Sequence, residues 1–212
     1  MQNSLAAAVL DTARAMNSAG INRGTAGNVS ARQQPASFLI TPSGMDYAEI
    51  GAADIVTMAI DGSWQGARQP SSEWRFHRDI YAAKADVGAV LHAHSPFATS
   101  LACMGCEIPP FHYMIARFGG KDVRCAAYAT FGTQELSDAA LAALHNRSAC
   151  LLAHHGMIVC GRDLRQALAL AVELESLCEQ YWRVLQLGAP KLLPDDEMER
   201  VLGKFSGYGQ NT

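Results

Sequence analysis

Three histidines are the first residues in this chain that could do chemistry. His92 and His94 flank Ala93 at the end of the apolar run 87–92. Alternate side chains of a strand point to one face, so these two imidazoles can converge on a single metal ion. His154 and His155 precede Gly156 inside a second apolar run, 151–160, which reads as one continuous strand. Adjacent strand residues face opposite ways, so only one of the pair joins the site. The choice falls on His155, beside the glycine that lets backbone or ligand approach. A lone histidine is more often a hydrogen-bonded core or surface residue. His-x-His together with His-His-Gly, both on apolar runs, argues for metal. Three imidazoles with an open fourth position suit a catalytic zinc rather than a closed structural one. Mn²⁺ or Co²⁺ would accept the same ligands, because metal choice also depends on availability.

Glu73 follows Ser71 and Ser72 near a predicted helix start. Alone it is an ordinary acid favoured by the helix dipole. Close to a metal it becomes a candidate ligand, or a base for a proton next to a carbonyl. Three small polar turns, Gly27-Asn28-Val29-Ser30, Thr41-Pro42-Ser43-Gly44 and Pro70-Ser71-Ser72, offer hydroxyls and free backbone N–H groups. The last opens a helix, where an anion is stabilised. None matches the glycine patterns of nucleotide-binding loops. Cys103 and Cys106 have metal or redox spacing but stand without a partner pair, and His77, His112 and His145 show no partner pattern.

Several elements must position these groups. Leu5, Val9, Ala13 and Met16 recur at spacings of three and four, which predicts a helix over 4–19, ended by Gly20. Short strand-like pieces follow at 38–40 and 55–58, then a helix over 71–85 and a strand over 87–92. Ser95-Pro96 is a plausible helix start, and further helices are predicted at 133–145 and 163–187. Strands alternating with helices give an α/β or α+β domain, and with no repeat or linker visible 1–212 reads as one domain. Past Pro194 the glycines around Phe205 and Tyr208 suggest a flexible end that can still dock.

Composition narrows the class. Hydrophobic residues make up 49% and charged ones 17% of 212 residues, which excludes a disordered polymer. A net charge of only -3 predicts no long-range attraction to nucleic acid or anionic lipid, so an anionic small molecule would need a local site. No apolar stretch reaches the roughly 18 residues of a membrane span. Asn3 and Ser4 lead into an amphipathic run rather than a signal pattern, and the six cysteines are scattered. Reduced thiols in a cytoplasmic protein are the expectation.

The polar turns, Ser71-Ser72-Glu73, His92-Ala93-His94 and His154-His155-Gly156 stand in the order and spacing of the class II aldolase/adducin family, which the chain resembles from Asn22 to Tyr208. The stretches 112–116 (His-Tyr-Met-Ile-Ala) and 128–133 (Tyr-Ala-Thr-Phe-Gly-Thr) make it most similar to the bacterial L-fuculose-1-phosphate aldolases of that family. The resemblance implies one domain of this type, an α/β fold with a central, mainly antiparallel sheet flanked by helices. It also implies a fourfold-symmetric homotetramer with active sites between subunits. By motif position the zinc ligands would be His92, His94 and His155, with Glu73 as a fourth ligand in the resting enzyme. The substrate phosphate would sit among Asn28, Ser43, Gly44, Ser71 and Ser72, with Gly27 shaping the turn. Tyr113, reached across the interface, and Tyr208 of the tail fall on positions of chemistry and closure.

The implied reaction cleaves a ketose 1-phosphate to dihydroxyacetone phosphate and an aldehyde. The substrate is L-fuculose 1-phosphate or a 5-deoxy- or 5-methylthio-ribulose 1-phosphate. Cleavage leaves an electron pair beside a carbonyl, which a Lewis-acidic zinc stabilises as an enediolate. Tyr113 would take the proton leaving the C4 hydroxyl and Glu73 would protonate the enediolate carbon. The phosphate cradle would supply orientation. Alternatives within the superfamily are a methylthioribulose-1-phosphate dehydratase and a ribulose-5-phosphate 4-epimerase, the latter usually with Asp where this chain has Glu73. A metal-free adducin-like module is the alternative of another class, and the complete ligand set argues against it. Segments 95–99 and 103–107 depart from the fuculose enzymes, which leaves the aldehyde open.

Overall fold

The computed structural model describes residues 2–206, and Tyr208 lies outside the described residues. Val9, Ala13 and Met16 are fully buried, as their spacing requires, and press helix α1 (Gln2–Ser18) onto a sheet. That sheet has eight strands in the order β4-β3-β2-β1-β5-β8-β7-β6. In chain order they are β1 (Asn28–Gln34), β2 (Ser37–Ile40), β3 (Val56–Ala59), β4 (Trp64–Gln65), β5 (Ala89–Ala93), β6 (Arg124–Ala126), β7 (Ala149–Leu152) and β8 (Gly156–Gly161). Neighbours are antiparallel except β6 and β7. The mainly antiparallel α/β architecture is therefore present.

Five more helices complete the layers: α2 (Trp74–Ala83), α3 (Pro96–Cys103), α4 (Gln134–Ala143), α5 (Leu164–Leu187) and α6 (Asp195–Ser206). Ala89, Leu91 and Ala93 of β5 pack with Val29, Val159 and the apolar faces of α1, α3 and α5. Val90 points the other way, with Ile40, Ile158 and the faces of α2 and α4. Both faces of the central strands are covered, which is why β5, β7 and β8 are apolar almost throughout. The start of α3 is capped from a distance: Glu175 of α5 accepts the Ser95 hydroxyl at 2.6 Å and the N–H groups of Phe97 and Ala98 at 2.8 and 2.9 Å. Ser95 thus spends its hydroxyl on Glu175 instead of capping directly.

Three expectations are corrected. The run 151–160 is not one strand but the β7–β8 hairpin, with Leu152 opposite Gly156 and Ala153-His154-His155 forming the turn. His154 takes the left-handed backbone region at φ 55, a role usually given to glycine, so composition concealed the bend. Segment 27–30 is not a turn, because Asn28 already begins β1. Among the described residues, 195–206 are helical rather than loose: Asp195, Asp196 and Glu197 occupy the favourable first turn of α6 and Met198 is buried. Among the described residues no helix is long and apolar enough to cross a membrane. All six cysteines are free, and Cys150, Cys160 and Cys178 are buried.

Candidate active site

The pairing of β5 with β1 and β8 sets Asn28 and Ile158 on either side of His92. His92 and His94 share a face at the end of β5, and the β7–β8 turn brings His155 against them. The ring centroids lie 4.8 Å apart for His92–His94, 4.7 Å for His92–His155 and 4.8 Å for His94–His155. Candidate ligand atoms of all three fall within 4.8 Å of one another. His155 is the member of its pair that converges, as expected, but for a different reason. His154 bends the turn and is exposed, its ring edge-on to Tyr128 at 5.9 Å. Gly156 is required here, since a Cβ would lie 2.5 Å from the Ala93 carbonyl oxygen and 3.0 Å from the His94 ring.

Glu73 stands just before α2, at its N-cap rather than in its first turn, and is only 5% exposed. Its Oε2 is 3.2 Å from His92 Nε2 and its Oε1 is 3.2 Å from His155 Nε2. Asn28 Nδ2 donates to Oε2 at 2.9 Å, whereas buried Oε1 receives no hydrogen bond from any described residue. His92 Nδ1 donates to the Met157 carbonyl at 2.9 Å, which turns the Nε2 lone pair toward the centre. That atom is 2.9 Å from His94 Nε2. Converging lone pairs and an unsatisfied carboxylate oxygen repel in a buried space unless a proton or cation lies between them. Three imidazole nitrogens and one carboxylate are a donor set that fits a zinc-type ion.

Charge preferences agree. Burial pushes His94 down to about 4, aided by His92 and His155, so its imidazole is neutral and able to ligate. Burial raises the Glu73 carboxyl, but positive charge on the side of His92 and His155 overcomes this and holds it well below the usual carboxylate range, so the carboxylate is ionised where a cation would sit.

The expected phosphate residues lie on two loops joined by a β-bridge between Pro42 and Pro70. The N–H of Ser43 donates to the Gln69 carbonyl and that of Ser71 to the Thr41 carbonyl, each at 3.0 Å, so neither is free as expected. The Ser71 hydroxyl accepts the Glu73 N–H at 3.3 Å. The hydroxyls of Ser43 and Ser72 and the N–H groups of Gly44 and Ser72 donate to no described residue. Gly27 shapes the approach: a Cβ there would sit 2.6 Å from both Asn22 Oδ1 and the His92 carbonyl oxygen.

Ser72, Glu73, His94 and His155 line a cleft of about 290 Å³ whose remaining wall includes Tyr128, Phe131 and His154. The loop bearing Tyr128 and Phe131 is tied down by Arg75, which donates to the Gly132 carbonyl at 2.6 Å. Larger clefts of about 810 and 1120 Å³ lie elsewhere and hold no such convergence of ligands. Tyr113 is not brought to the histidines within one chain. It begins a short 3₁₀ turn, lines the largest of these clefts and stacks over Phe205 of α6 at 6.5 Å, half exposed.

Sequence reasoning missed Tyr128, Phe131 and His154 as cleft residues, and above all His77. His77 is fully buried and bridges Asn28 and Ser30. A signal was present: Glu73, His77 and Tyr81 recur every four residues, so one helix face carries all three.

The comparisons with known proteins bear on this geometry. Residues 7–182 match the family described as Class II Aldolase and Adducin N-terminal domain. A 5-methylthioribulose-1-phosphate/5-deoxyribulose-1-phosphate aldolase of Rhodospirillum rubrum is 59% identical over 203 residues, covering 96% of this chain and 91% of that one. The L-fuculose phosphate aldolase of Escherichia coli K12 is 44% identical over 209 residues, 98% and 97% of the two chains. A solved L-fuculose 1-phosphate aldolase superposes with a TM-score of 0.90 at 40% identity, covering 93% of this chain and 94% of its own. The chain belongs to the class II aldolase and adducin family. Within it, the chain is an aldolase, a lyase that breaks a carbon–carbon bond.

Proposed function

We propose that this aldolase cleaves 5-methylthioribulose 1-phosphate or 5-deoxyribulose 1-phosphate to dihydroxyacetone phosphate and the corresponding aldehyde, with a bound zinc ion. The observation that carries the metal is the convergence of His92, His94 and His155 on Glu73, whose buried Oε1 has no donor among the described residues. The substrate class is supported by the relative from R. rubrum and by the aromatic rim of Tyr128 and Phe131, which suits an alkyl or thioether end. L-Fuculose 1-phosphate is the second reading, favoured by the E. coli relative.

When bound, the metal supplies Lewis acidity for the negative charge that builds at the carbonyl oxygen. The protein's groups move the proton. Cleavage removes a proton from the C4 hydroxyl and needs one at C3, so two groups must share the task. Tyr113 serves the oxygen and Glu73 the carbon. The Ser43 and Ser72 hydroxyls, with the N–H groups of Gly44 and Ser72, hold the phosphate. Asn28, Ser71 and Gly27 shape that cradle, and Tyr208 takes part in substrate binding. Incubating purified protein with a panel of ketose 1-phosphates and measuring dihydroxyacetone phosphate tests the proposal. Product from the methylthio and deoxy substrates is expected; water elimination or epimerisation without that product would refute it.

The same reading makes the active form a homotetramer, working in the cytoplasm, in which Tyr113 acts in a neighbour's site. Its support is that Tyr113 is half exposed and remote from its own histidines, and unpaired thiols suit a reducing compartment. Mixing inactive His94→Ala and Tyr113→Phe proteins after dissociation should restore part of the activity, because some interfaces then join an intact metal site to an intact tyrosine. No recovery despite proven exchange would put Tyr113 outside the shared site.

A further inference from the structure

Behind Glu73 a file of polar side chains runs between β1 and α2. The Tyr81 hydroxyl lies 2.8 Å from Ser30 Oγ, and Ser30 Oγ lies 2.7 Å from His77 Nδ1. His77 Nε2 is 2.6 Å from Asn28 Oδ1, and Asn28 Nδ2 is 2.9 Å from Glu73 Oε2. All five residues are buried, none more than 5% exposed. Local geometry explains the alignment. Asn28 and Ser30 alternate on β1 and so share a face, opposite the helix face that carries Glu73, His77 and Tyr81.

The direction of each hydrogen bond is forced by the one before it. An ionised carboxylate only accepts, so Asn28 must offer Glu73 its amide nitrogen. That turns Oδ1 toward His77, whose Nε2 must then carry the hydrogen. Burial lowers His77 to about 3 and keeps it neutral, so Nδ1 is bare and Ser30 donates to it. Ser30 Oγ in turn accepts from Tyr81, a phenol that burial holds protonated. Reversing any link would set two donors or two acceptors face to face in a dry interior.

We propose that His77 is a positioning residue for proton transfer by Glu73: its Nε2–H tautomer, held by Ser30, locks the Asn28 amide so that Glu73 Oε2 is anchored. Oε1 is then the oxygen left to face the metal and the substrate carbon. The proposal rests on Glu73 being the proton-transfer group.

Two measurements test it. Long-range ¹H–¹⁵N correlation on the metal-free protein should show His77 as a single Nε2–H tautomer. In the metal-loaded protein, uptake of solvent deuterium into dihydroxyacetone phosphate isolates the carbon protonation from bond cleavage. His77→Leu should slow uptake by about 10- to 100-fold with little change in KM. His77→Gln, which returns an N–H near the position of Nε2, should recover most of the rate. Ser30→Ala, a smaller excision, should slow uptake in the same sense and serves if the leucine variant does not fold. An Nδ1–H tautomer in the unmodified protein, or wild-type uptake in both the His77→Leu and Ser30→Ala variants, would overturn the proposal. So would a loss that raises KM equally and is not rescued by glutamine. An unmodified protein that cleaves substrate yet takes up no deuterium would instead remove Glu73 from proton transfer, and the proposal with it.

Discussion

His94→Ala is expected to lose its metal and its turnover together while keeping the fold. The last β5 residue in register with β8 is Ala93, opposite Met157, so the substitution leaves that ladder intact. The ring lines the cleft instead of filling the core, and its loss should change stability by about 1 kcal/mol or less. What disappears is one of three imidazoles, and the two that remain cannot form the three-nitrogen set on which the site depends. Elemental analysis after dialysis against a mild chelator should find one divalent ion per subunit in the unmodified protein and none in the variant. Circular dichroism and melting should match. Full metal occupancy in His94→Ala would falsify the ligand assignment.

Glu73→Gln should cut kcat by about 10² to 10⁴ while phosphate binding persists. The two side chains are nearly the same shape, and the glutamine carbonyl can still accept from Asn28 Nδ2, which lies 2.9 Å from Oε2. The donors proposed for the phosphate lie on other residues and are untouched. The substitution removes only the charge and the capacity to carry a proton. Competitive inhibition by inorganic phosphate should therefore change little. Measuring metal content alongside kcat separates the two roles of the residue: a rate lost with the metal retained marks proton transfer, whereas parallel loss of both marks a ligand alone. A nearly normal rate would reduce Glu73 to an acid that merely begins a helix.

The imidazole cluster was legible because His92 and His94 sit on a regular strand, where spacing alone fixes which way side chains point. His155 was chosen on a premise that the hairpin removes. The left-handed residue of the bend is His154, which composition does not mark, and Gly156 reads as a point of close approach rather than as the sign of a turn. The opening of β1 was hidden for the opposite reason: Gly27, Asn28 and Ser30 have the composition of a loop. Their polar side chains are in place because α2 presents a polar stripe to meet them. Neither segment reveals this alone, and the pairing of a strand with a helix face is a tertiary fact. Helix α6 was obscured by the glycines near the C-terminus, although the acidic turn after Pro194 was a usable start signal. Tyr113 has no chemical placement in the sequence, and among the described residues the fold does not bring it to the histidines.

The central β5–β8 pairing also shapes how this enzyme comes into being. His92 Nδ1 meets the carbonyl of Met157, a residue 65 positions away, so forming the middle of the sheet closes a long stretch of chain. Closing a loop of that length costs about 4 kcal/mol of chain entropy before its contacts form. Folding dominated by such distant pairings is slow, and His155 does not meet His92 and His94 until β5 and β8 have paired. Metal uptake is then a late event that reports on formation of the central β5–β8–β7 pairing. An ion that binds only the finished arrangement stabilises it by mass action, by about 2.7 kcal/mol at a hundred times its dissociation constant. Newly made chains in metal-poor cells would thus be held less firmly in the folded state, and their abundance as well as their activity would follow metal supply.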